Sequence, residues 1–101
     1  MSQATIIERA PGQLQLAGVL DYRTGPGLRE QGARLITGCS VKRLALDCAA
    51  VEKSSSVGLS LLLAFTRDAR ESGHELSISG LPEDMRQIAQ VSGLLELLPL
   101  A

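Results

Sequence analysis

Apolar positions along this chain recur with two periods, one of two residues and one near 3.6, and their order sketches a fold. ATIIER (Ala4–Arg9) and QLQLA (Gln13–Ala17) have strand character and are split by the turn signal Ala10-Pro11-Gly12. Together they predict an N-terminal hairpin with Leu14 and Leu16 facing the core. After Gly18-Val19-Leu20-Asp21, the segment TGPGLREQGARLITG places Leu28, Leu35 and Ile36 at helical spacing. Thr24 is its expected cap, and Gly27 and Gly32 weaken it. VKRLALDCAA (Val41–Ala50) is nearly continuous in apolar residues around Asp47, which predicts a central strand buried on both faces. Asp47 is then a strand-end polar group bonded to the turn at Ala49-Ala50.

A second helix is expected to start near Ser55 or Ser56 and run to about Ser72, with Gly73 as its stop. Leu76 and Ile78 in ELSISG alternate like another core strand. Pro82 suits the first position of a third helix, marked by Met85, Ile88, Ala89 and Val91 and closed by Gly93. The apolar tail LLELLPL reads as a last half-turn or strand. The order ββαβαβα contains strand-helix-strand units, which imply parallel pairing. The expectation is one α/β domain over residues 1–101, with a small mixed sheet of about four strands and a layer of helices packed against it.

Composition narrows what such a domain does. A chain of 101 residues builds one hydrophobic core. With one Tyr, one Phe and no Trp, that core rests on Leu, Ile, Val and Ala. Tyr22 and Phe65 are too few to form a base-stacking platform. A net charge of −1 without a basic run gives no source of counterion-driven binding to nucleic acid or acidic lipid. Cys39 and Cys48 have neither metal-ligand nor redox spacing, and read as free thiols of a reducing cytosol. MSQATIIERA lacks the basic-then-apolar pattern of a signal peptide. Leu59–Phe65 falls far short of the roughly 20 residues that cross a bilayer. A cytoplasmic protein with no membrane insertion of its own is expected, able to dock on a membrane-embedded partner.

Catalytic groups are sparse. His74, the only histidine, follows Gly73 in what reads as an exposed turn. A Ser-His-Asp arrangement would have to bring it to a serine at a helix start, and the chain order offers no support. Neither GxGxxG nor GxxxxGK[ST] occurs, and the ligand count for a metal is too low. No cofactor and no metal is expected, and a binding or regulatory module is favoured over an enzyme.

Attention falls on EKSSSVGLSLLL (Glu52–Leu63). A serine at the helix start accepts a hydrogen bond from an unpaired backbone N–H, worth about 0.5–2 kcal/mol. That explains one serine. The run behind it is apolar from Leu59 to Phe65 except at Ser60, wider than the ~100° stripe of a surface helix. Either the domain covers both sides of that first turn or one side awaits a partner. A phosphate placed there would lie beside free N–H groups and the positive helix end, yet its charge would sit next to an apolar docking surface.

Gly18-Val19-Leu20-Asp21-Tyr22-Arg23-Thr24 resembles the G-x-L-D-x-x-T segment of STAS domains. Leu46-Asp47, Val51 and then SSVGLSLLL resemble their L-D-(L)-x-x-V-x-x-(hydrophobic)-D-S-x-G-L-x-x-L-L segment. Arg86, Ile88 and Val91-Ser92-Gly93-Leu94 resemble the family's R-x-[LI]-x-x-x-G-L ending, and the similarity covers nearly the whole chain in order. STAS domains are small α/β modules that include anti-sigma factor antagonists, parts of anion transporters, and the MlaB subunit of the Mla phospholipid-transport complex. The resemblance implies that Ser56 stands where the antagonists are phosphorylated and that Asp21 is the aspartate of the first segment. In MlaB-like members the same hydroxyl position lies at the surface that docks on the transporter ATPase. Two residues depart from the pattern: Ser55 replaces the motif aspartate, and Val57 replaces a small residue.

The resemblance thus implies a partner-binding or regulatory surface at Ser55, Ser56, Val57, Gly58, Leu59 and Asp21. The first expectation is a non-enzymatic subunit that binds the ATPase of an ABC transporter of the Mla type, in a complex with its permease and substrate-binding subunits. It would then sit at the inner face of the inner membrane through that partner and serve phospholipid traffic between the inner and outer membranes. The alternative is an anti-sigma factor antagonist switched by phosphorylation of Ser56. An enzyme of unknown type is the outsider.

Overall fold

The computed structural model describes residues 4–101, so the first three residues of the segment read for a leader lie outside the described residues. β1 (Ala4–Ala10) and β2 (Gln13–Leu20) form the expected hairpin around Gly12, whose φ of 79° is readily adopted by glycine. They are followed by α1 (Gly25–Thr37), β3 (Arg43–Ser54), α2 (Ser56–Glu71), β4 (Glu75–Ser79) and α3 (Glu83–Val91), then a 3₁₀ turn at Leu95–Leu97.

The four strands lie in sequence order, antiparallel between β1 and β2 and parallel thereafter. Both parallel crossovers therefore step the same way across the sheet. Since such crossovers are right-handed, α1 and α2 share one face. Two layers result, and the molecule is only 19 Å thick along its short axis. The tail does both things its pattern allowed: after the 3₁₀ turn, Leu100 bridges Ile78 in parallel and lines the outer edge of β4.

Leu14, Leu16, Leu44, Leu46, Ile78, Leu62, Phe65, Met85 and Ala89 are buried between the layers. β3 corrects two expectations. Leu44, Leu46 and Cys48 are buried, but Ala45 and Asp47 between them are half-buried, so the strand has one core face rather than two. It also runs on to Ser54, which makes Asp47 a mid-strand residue. The pairing with β2 slips just beyond it, and its carboxylate accepts the N–H of Ala49 at 2.9 Å, so the polar group serves a bulge within the strand. Val91 is 89% exposed instead of marking the core face of α3. Pro82 stands one residue ahead of α3, at the cap.

The thiols fall where expected, Cys48 buried and Cys39 half-buried. Burial, with the Asp47 charge adding to it, pushes the Cys48 thiol up to about 12, which keeps it protonated and unreactive. His74 differs from its predicted exposed turn: it is half-buried, and its Nδ1 is enclosed without a hydrogen-bond partner.

Candidate functional site

Ligands of open α/β sheets bind outside the carboxyl ends of the parallel strands. Here β2 and β3 end side by side, Leu20 opposite Ser54, and the two helices that follow start from adjacent turns. Ser55 joins them. Its N–H donates to Leu20 O at 3.0 Å, and its hydroxyl lies 3.3 Å from the same carbonyl. That hydroxyl also accepts the N–H of Val57 at 3.1 Å, which makes Ser55 the cap of α2.

The three serines thus have separate duties. Ser54 donates to Ser55 O at 2.8 Å, and Ser55 caps the helix. Ser56 is exposed, and among the described residues its hydroxyl has no hydrogen-bond partner. Only its carbonyl is engaged, by Ser60 Oγ at 3.3 Å. One uncommitted hydroxyl remains at the helix start, and it belongs to the residue singled out from sequence.

The β2–α1 turn is locked by Asp21. Its Oδ1 accepts the N–H groups of Arg23 at 2.9 Å and Thr24 at 3.1 Å, and its Oδ2 binds Arg23 Nη2 at 3.1 Å. The Arg23 side-chain bond, then these backbone N–H groups, hold the Asp21 carboxyl below its ordinary 3.8 despite some loss of solvent. Thr24 occupies the cap position of α1 but makes no cap bond. Its hydroxyl donates to Val19 O at 2.9 Å and accepts the Asp21 N–H at 3.0 Å, so Thr24 pins the turn instead of capping α1, and the first N–H of the helix, that of Gly25, is taken by the Asp21 carbonyl at 2.8 Å. Arg23 then reaches over the Tyr22 ring, 5.9 Å from its centroid.

Between α1 and α2 opens an apolar groove of about 430 Å³, walled by Tyr22, Pro26, Val57, Leu61 and Ala64. Arg29 edges it, held to Asp68 on α2 by two hydrogen bonds, one of 3.1 Å between Nη2 and Oδ1. Val57 is half-buried against the start of α1, where a Cβ on Gly25 would come within 2.8 Å of it.

The predicted site residues therefore separate. Val57 lines the groove, with Ser56 its neighbour in sequence; Asp21 precedes Tyr22 of the groove wall, and Ser55 is tied to the end of β2 through Leu20 O. Gly58 and Leu59 lie inside instead, Leu59 at 3% exposure. A Cβ on Gly58 would meet Ser54 Oγ at 2.1 Å and Met85 Cε at 2.8 Å, so the absence of a side chain lets α2 settle onto β3 and α3. Tyr22, Pro26 and Ala64 escaped the reading by motif. Their only signal was an aromatic residue in a polar loop before Gly-Pro-Gly. Among the described residues no cluster of three potential metal ligands occurs, and no helix is long and apolar enough to cross a membrane.

Residues 4–99 match a family model described as "Mlab, STAS domain". An anti-sigma factor antagonist from Mycobacterium paratuberculosis superposes with a TM-score of 0.77 at 24% identity, over 99% of this chain and 85% of that one. The antagonist SpoIIAA in its unphosphorylated form gives 0.73 at 17% identity, over 97% and 87%. The phosphorylated form of SpoIIAA from Bacillus gives 0.67 at 19% identity, over 97% and 90%. The sheet order and the layer of helices described above are the fold they have in common with this chain.

Proposed function

The chain belongs to the STAS domain family, and from that premise we propose that it is a non-enzymatic binding subunit of the MlaB kind. In this reading it docks on the ATPase of an Mla-type ABC transporter, whose permease and substrate-binding subunits complete the complex. It thereby sits on the inner face of the inner membrane and regulates or stabilises an ATPase that moves phospholipids between the two membranes.

One observation carries the reading: an apolar groove opens with Val57 and Ser60 in its wall, one and four residues along α2 from the unengaged Ser56. Val57, a departure from the family pattern, enlarges apolar surface at that place. Ser55, the other departure, is occupied as a cap. Both changes favour docking over chemistry. The family description, MlaB-type, points the same way.

Affinity purification of the tagged protein from mildly solubilised native membranes, with mass spectrometry of what comes with it, tests the reading. An ABC-type ATPase and permease are expected. Ser56→Asp should then weaken capture of the ATPase while thermal stability hardly changes. Recovery of a soluble kinase-like anti-sigma factor without the transporter would overturn the proposal.

That outcome would support the second reading, an antagonist switched at Ser56, which the free and exposed hydroxyl favours. A phosphate there adds a charge of about −1.5 to −2 at the start of α2. Phosphopeptide mapping of Ser56 from cells decides it, since an unmodified serine under every growth condition would remove the switch.

A further inference from the structure

We draw no further inference here: the strongest candidate, the apolar groove between α1 and α2 with Tyr22 and Val57 in its wall, belongs to the site already described, and nothing in the structure shows what else covers it.

Discussion

The inward and outward sides of the α1–α2 seam are built from similar residues and have opposite fates. Inward, Gly32 lies against the Phe65 ring so closely that a Cβ there would come within 2.3 Å of Cε1. Nothing enters that contact. Outward, the same two helices present Pro26, Val57, Leu61 and Ala64 to a groove of about 430 Å³ that stays open. Apolar character is common to both sides, so what separates core from docking surface is the presence of a covering neighbour. That is why the apolar run from Leu59 to Phe65 left two possibilities: Leu59, Leu62 and Phe65 turned out buried in the core, Leu61 lines the groove at only 4% exposure, and Ser60, Leu63 and Ala64 face outward in part.

The contrast is broken most severely from the inside. Phe65→Ala empties a fully buried ring site between α1, α2 and the sheet, and should cost about 3–5 kcal/mol in urea unfolding. A loss under about 1 kcal/mol would mean that the inward seam is not packed as described. The two glycines of α1 sharpen the same point. Gly32→Ala forces a methyl group into the Phe65 ring and should destabilise by about 1–3 kcal/mol. Gly27→Ala, with no atom within 4 Å of the added Cβ, should instead stabilise by up to about 1 kcal/mol, by restricting the unfolded chain and improving the helix. Equal effects at the two sites would erase the distinction between the sides.

Much of this architecture was legible in the chain. The hairpin, the three helices and the order of elements along the chain follow from period-two and period-3.6 patterns punctuated at Gly12, Gly73 and Gly93, each of which has positive φ. The misreading of β3 has a physical origin. Ala45, Ala49 and Ala50 count as apolar in a sequence run, but an alanine also sits without penalty on a half-open face. Near the end of β3, Glu52 and Lys53 are exposed and polar, so nothing in their type continues the strand that pairing of Lys53 and Ser54 with Val19 and Leu20 maintains. Val91 fits a helical period and still faces solvent, because periodicity assigns a stripe and not its cover. At the site, Ser56 and Asp21 were found through the family pattern. The groove was not, because Tyr22, Arg29 and Ala64 meet only in three dimensions.

A smaller effect separates the serines at the start of α2. Ser55→Ala removes the cap of α2 and should cost about 1 kcal/mol, whereas Ser56→Ala removes a hydroxyl with no partner and should leave the urea midpoint nearly unchanged. The comparison of interest is then in binding. If Ser56 faces a partner, its substitution alters capture without altering stability, and Ser55→Ala does the reverse. Equal stability losses would show that the two hydroxyls share the capping duty.

The smallest effect is set by pH at the turn that holds the Tyr22 wall. Asp21 has its folded pKa depressed, first by the Arg23 side chain and then by the N–H groups of Arg23 and Thr24. A depressed carboxyl contributes stability that is present above its unfolded value, near 3.8, and lost as pH falls through the lower folded value. The contribution is therefore constant at neutral pH and fades only below about pH 4. Because the group is reached by solvent and screened, only a shallow change is expected. Asp21→Asn keeps an acceptor for the two N–H groups while removing the charge, so it should flatten this part of the acid limb and leave the neutral plateau nearly in place. Urea midpoints between about pH 5 and pH 2 for parent and variant measure the difference. Parallel acid limbs would mean that the charge of Asp21 does not hold the turn, and the orientation of Tyr22 would then rest on the Thr24 hydroxyl and its bond to Val19 O.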